Sequence, residues 1–224
     1  MSSTKAEIDH NLRGFAYFDT FDDLEKWDKN AVDVLQKANT PLLKRASIVP
    51  SKEALKSNVL VMRDFRGGYL QSGYEASQGA TVPHEDYVME QWQRVEVFNY
   101  FNHYRVSIPP PSWVNAGHRN GSLVLGTFCI EGDPAEKSEL QPHRIIEKSG
   151  DRFWLADVLS QMAVTYGFDG WLINIETDQI DVSDEVWSNG LPLAGFLKQL
   201  RGGLKSLPSG GKVIWYVLPK VSEE

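Results

Sequence analysis

Two side chains two residues apart raise the first chemical question. The run FDGWLINIETD, Phe168 to Asp178, is apolar enough to be buried, yet it ends on Asn174 and Glu176. Alternate residues of a strand share a face, so Leu172, Asn174 and Glu176 point one way and Trp171, Ile173 and Ile175 the other. Strand rise sets the α-carbons of 174 and 176 roughly 6.5 Å apart, close enough for both side chains to touch one sugar residue. Retaining glycosidases ordinarily need two carboxylates, but a 2-acetamido group on the substrate can attack the anomeric carbon itself. Asn174 would then orient the acetamide and stabilise the oxazoline-like intermediate. Glu176 would protonate the leaving oxygen and afterwards activate water. A strand that merely meets solvent also finishes in polar residues, so spacing alone leaves both readings open.

The elements that would hold this pair are legible along the chain. NVLVM (58–62), VFNYFNHYRVSI (97–108), SLVLGTFCI (122–130), GWLINI (170–175) and KVIWYVL (212–218) are short apolar, β-branched or aromatic runs that read as strands. Between them PPSWVNAGHRNG, DRFWLADVLSQMAVTYG and LPLAGFLKQLRGG carry helical spacing with proline at a start or glycine at an end. Strand and helix in alternation mean parallel β/α units, and near-continuous hydrophobicity fits a sheet covered on both sides. An open doubly wound sheet and a (β/α)8 barrel are the candidate architectures. In either, Trp171, Ile173 and Ile175 belong under the helices, which turns Asn174 and Glu176 inward at the carboxyl end of their strand. Residues 1–57, with FDTFDDLEKWDKN, read as a polar lead-in of irregular structure and short helices, and residues 58–224 as the β/α unit.

Composition narrows the function classes. Net charge is −7 and no long basic cluster occurs, so the electrostatic footprint for nucleic acid or an anionic membrane is missing. No run of about 18 apolar residues appears, and the first residues, MSSTKAEIDHNLRG, lack an apolar signal core; the expected compartment is the cytosol. The single cysteine, Cys129, reads as a small buried hydrophobe. His84, His103, His118 and His143 lie at no ligand spacing and read as surface or loop residues, so neither a metal nor another cofactor is expected. No nucleophile-elbow, Walker or dinucleotide fingerprint is present.

With these residues in place, the chain resembles glycoside hydrolase family 85. The resemblance rests on LVMRDFRGGYL (60–70), FNYFNHYRVSIPPPSWVNAGHRNGSLVLGTFCIEG (98–132), YGFDGWLINIE (166–176) and VIWY (213–216), in that order. It implies a (β/α)8 TIM barrel that cleaves the GlcNAc-β1,4-GlcNAc bond of the N-glycan core, with Asn174 on the oxazoline, Glu176 as acid and base, and Tyr216 helping to hold the intermediate. It further implies sugar contacts at Glu131, Trp92 and Asp64, and an N-glycan or glycopeptide partner. Arg63 stands before Asp64 where the family usually has histidine, and Gly132 replaces an aromatic residue. Past Tyr216 the family continues with an aspartate and further β/α units where VLPKVSEE stands here, so the resemblance implies an incomplete barrel of about five units. The related D-G-x-D-x-D-x-E pattern of family 18 chitinases is matched at Asp169, Gly170 and Glu176, with Leu172 and Asn174 in place of two aspartates; that exchange favours family 85. A truncated, inactive family member that binds glycan weakly is the alternative.

Overall fold

A computed structural model of the chain describes residues 16–45, 59–64, 89–131, 140–176 and 191–216. Five parallel strands form the frame: β2 (Leu60–Asp64), β3 (Val97–Phe101), β5 (Leu123–Glu131), β8 (Gly170–Glu176) and β9 (Lys212–Tyr216). Each pairs with the next, β2 with β3, β3 with β5, β5 with β8 and β8 with β9. The order never reverses, so the crevice that a doubly wound sheet opens at its reversal point has no counterpart among the described strands.

Helices α2 (Pro111–Arg119), α3 (Trp154–Tyr166) and α4 (Leu191–Gly203) fill the crossovers before β5, β8 and β9. Pro111 stands at the start of α2, where its missing N–H costs no helical bond. Gly167 closes α3 in the left-handed region at φ 83°, its N–H on the Ala163 carbonyl at 2.9 Å. The helix-facing side of the sheet holds the main core: Phe98, Tyr100, Val124, Phe128, Ile130, Trp171, Ile173 and Ile175 are all buried there. Trp171 donates its indole N–H to the Leu159 carbonyl of α3 at 2.9 Å, so β8 and α3 are joined by a hydrogen bond as well as by apolar area. The alternation read from the sequence therefore holds, and Asn174 lies on the opposite face.

Two local features depart from the sequence expectation. The run 97–108 is two strands: after β3 the chain turns at residues 102–105 and returns as β4 (Val106–Ile108), antiparallel to β5. The turn forms because the Asn102 side chain accepts the His103 N–H at 2.7 Å, a local bond that competes with strand continuation. Beyond Leu125, β3 and β5 part; β4 takes the vacated edge of β5 while the side chains of Asn99 and Thr127 span the gap. The Asn99 amide donates to the carbonyls of Leu125 and Gly126 and to the Thr127 hydroxyl, which donates to the Tyr100 carbonyl. Second, Arg152 and Phe153 pair with Lys148 and Ser149 as a small hairpin (β6, Lys148–Ser149; β7, Arg152–Phe153), so α3 starts at Trp154. Helix α4, by contrast, runs as read, Leu191 to the paired glycines 202 and 203.

Part of the lead-in packs onto this frame. β1 (Ala16–Phe18) pairs with β4 in antiparallel register, and α1 (Phe21–Lys26) opens with a capping box between Thr20 and Asp23 before burying Phe21 and Leu24. Arg45 then fastens its segment to the sheet, donating to the carbonyls of Asn120, Trp92 and Val95 and to the Ser122 hydroxyl. The boundary expected at residue 57 lies outside the described residues.

Gly170 permits the start of β8. It sits at φ 142°, and a β-carbon there would fall 1.9 Å from the Lys212 carbonyl oxygen of β9. Gly170→Ala should therefore lower stability by at least about 2 kcal/mol through backbone strain and loss of β8–β9 register. Urea unfolding midpoints of the two proteins measure it, and equal midpoints would contradict the steric reading.

Candidate active site

The carboxyl ends of the parallel strands gather the polar chemistry. Asp64, Glu131, Glu176 and Tyr216 are the last residues of β2, β5, β8 and β9. Register aligns them on one face: Glu131 is level with Glu176, Cys129 with Asn174, and Asn174 with Tyr216. Paired residues of a parallel ladder point the same way, and so do Asn174 and Glu176 within β8. Residue types placed at strand carboxyl ends are where parallel β/α folds hold their catalytic groups. Five of the six residues predicted from the sequence are thus brought to one rim.

Trp92 is the exception. It lies on a 3-10 turn before β3, 4% exposed, packed between Phe98 and Trp113 with ring centroids 5.0 and 6.2 Å away. Phe98 is on the helix-facing side of the sheet, so Trp92 belongs to the core there and not to the rim.

Depth separates Asn174 from Glu176. Asn174 is 1% exposed, one step below the rim, while Glu176 is half-buried at it. The Asn174 amide nitrogen donates toward Cys129 Sγ at 3.5 Å. Its Oδ1 has no hydrogen-bond partner among the described residues. A buried acceptor left so costs about 1–3 kcal/mol, and a ligand N–H would recover that cost. Burial, with the Glu131 charge beside it, pushes the Cys129 thiol up to about 12, so sulfur keeps its proton at neutral pH.

Sequence reasoning missed His103. It lies in the turn after β3 and stands between two carboxylates, its Nδ1 on Glu131 and its Nε2 3.2 Å from Asp64. Phe101 meets the ring edge-on at 5.2 Å. The signal was present: polar Asn102 and His103 interrupt an otherwise apolar run, which a covered strand does not do without cause. His118, also read as a surface or loop residue, is instead 6% exposed in α2, its Nε2 on Asp169 at 2.8 Å. No group of three His, Cys, Asp or Glu side chains among the described residues is disposed to hold a metal ion, and no described helix is long and apolar enough to cross a membrane.

Known proteins share this frame. The sequence model of glycosyl hydrolase family 85 matches residues 69–217, more than half of the chain, and the chain belongs to that family. It is 36% identical over 197 residues to a cytosolic endo-beta-N-acetylglucosaminidase of Danio rerio, covering 88% of this chain and 26% of the relative. The protein of that name from Gallus gallus is 33% identical over 224 residues, covering 94% and 29%, and the one from Homo sapiens 34% over 206, covering 89% and 25%. The chain thus spans little more than a quarter of the length of these curated relatives. Among solved structures, the glycoside hydrolase domain of Endo-D from Streptococcus pneumoniae R6 superposes with a TM-score of 0.66 at 20% identity, covering 90% of this chain and 31% of that one, a likeness of fold.

Proposed function

We infer that this chain carries the catalytic rim of a cytosolic endo-β-N-acetylglucosaminidase that cleaves the GlcNAc-β1,4-GlcNAc bond of N-glycans with help from the substrate's own acetamide. The observation that carries the reading is the Asn174 carbonyl oxygen: buried, without a partner among the described residues, and two residues before a half-buried glutamate on the same face. An acetamide N–H is a donor of the right kind for it. Orienting that group brings its carbonyl oxygen to the anomeric carbon, and Glu176 delivers a proton to the leaving sugar oxygen and then takes one from water. Tyr216, level with Asn174 on β9, is assigned to hydrogen-bond the oxazoline-like intermediate. Asp64 and Glu131 lie along the same rim and are assigned to sugar hydroxyls. The strands are read as about the first five of a (β/α)8 barrel within residues 58–224, with residues 16–45 bracing them from the helix side.

The test is incubation of the purified 224-residue chain with a high-mannose glycopeptide, followed by mass spectrometry for an oligosaccharide ending in one GlcNAc and a peptide keeping the other. Release supports the reading. A folded chain that binds the glycopeptide without releasing product favours the second reading, a glycan-binding member without turnover. One observation favours that second reading: among the described residues β2 pairs with β3 alone and β9 with β8 alone, and a closed barrel would pair both outer edges.

A further inference from the structure

We propose that Cys129 is a positioning residue, which fixes the polarity of the Asn174 amide through a hydrogen-bonded chain running Asn174, Cys129, Glu131, His103, Asp64 across the carboxyl ends of β8, β5 and β2. The oxygen and nitrogen ends of an amide are nearly the same size, and turning the group over would exchange them with little change in packing. Asn174 needs its oxygen toward the ligand, because a substrate acetamide arrives with an N–H. What decides the matter is the atom at its other end.

That atom is Cys129 Sγ, level with Asn174 and 3.5 Å from Nδ2. The thiol stays protonated at neutral pH, and the charged group beside it is Glu131, two residues further along β5 and so on the same face. A thiol has one proton to give. Directed to the Glu131 carboxylate, an acceptor only, it leaves sulfur with lone pairs for Asn174, and lone pairs take the amide N–H and repel its oxygen. Glu131 cannot turn away freely, because His103 Nδ1 holds it while Nε2 faces Asp64 at 3.2 and 3.4 Å. Asn174 Oδ1 is left buried, unbonded among the described residues and available to an incoming donor. This polarity device rests on the proposed substrate-assisted reading for its use, though its geometry stands without it.

The chain has a single cysteine, so the S–H stretching band in the infrared has one source. In the folded protein that band should be displaced to lower frequency relative to the urea-unfolded protein, and Glu131→Gln should move it back toward the unfolded position. A band that Glu131→Gln leaves in place overturns the chain of bonds, whatever the enzyme does. On an N-glycopeptide, Cys129→Val, which keeps size and strand preference but has no hydrogen bond to offer, should lower kcat about tenfold with KM little changed. Cys129→Ser, whose hydroxyl both donates and accepts, should recover most of that loss. Equal kcat for all three proteins overturns the positioning role. A wild-type chain with no turnover but the displaced band keeps the network and fails the proposed function instead.

Discussion

Glu176→Gln is expected to reduce glycopeptide cleavage by about 10²–10⁴-fold while leaving the folded structure intact, the range over which general acid–base groups contribute. Glutamine keeps the size of the side chain and its place at the end of β8, level with Glu131. It removes the role proposed for Glu176, passing a proton to the departing sugar oxygen and receiving one from water. Initial rates on a high-mannose glycopeptide give the loss, and a far-ultraviolet circular dichroism spectrum matching wild type assigns it to chemistry. Glu131→Gln in parallel separates two carboxylates that sit side by side. As the partner of His103 and the proposed acceptor for Cys129, Glu131 should cost less in rate than Glu176. A Glu176→Gln protein within tenfold of wild type would remove residue 176 from the acid–base role.

The largest expected stability effect lies at the opposite end of the sheet. Asp169, just before β8, accepts the Val124 N–H at the start of β5 and faces His118 Nε2 of α2, both at 2.8 Å. His118 Nδ1 stands 2.7 Å from the Thr40 carbonyl. Both ring nitrogens therefore meet acceptors, and the imidazolium, a donor at both, satisfies them together. Burial works against that charge, but the hydrogen bond and charge of Asp169, with the Thr40 carbonyl, outweigh it and raise His118 above its ordinary 6.5. A raised folded-state value means that the folded protein holds the proton more tightly. The contribution is complete below about pH 6.5 and is lost as pH rises through the raised value. Asp169→Ala breaks the pair and leaves the Val124 N–H without this acceptor; it should cost about 3–5 kcal/mol. His118→Leu should flatten the fall in unfolding free energy as pH rises above about 6.5. Urea titrations across that rise measure the two effects, and a His118→Leu slope equal to wild type would contradict the linkage.

These groups also show where sequence reading stops. Asn174 and Glu176 were accessible from sequence because a strand's period of two assigns faces without knowledge of neighbours, and because an apolar run marks its own carboxyl end, whereas Glu131, Asp64 and Tyr216 came only through the family resemblance. The five parallel strands were legible for the same reason. The split of 97–108 was not, since β4 exists only by pairing with β5 and β1, both remote in sequence. Trp92 came as a sugar contact from the family resemblance, with a core place equally open; Phe98 and Trp113 packed around it assign it to the core. His103 and His118 each depend on carboxylates 28 to 51 residues away, and no local spacing encodes such a partnership. Cys129 was read as a small buried hydrophobe, and it is buried; its bond to Asn174 comes from strand register.

Where β3 leaves β5, side chains take over from the main chain. Backbone ladders are indifferent to which residues form them, whereas a seam riveted by Asn99 and Thr127 tolerates few substitutes. A mutational scan would therefore mark 99 and 127 as positions as intolerant as those proposed to touch sugar, although neither is assigned any chemistry. Their failure would show as a floor that shifts beneath the reacting groups, carrying His103 away from Asp64 and Glu131 before any bond to substrate is altered.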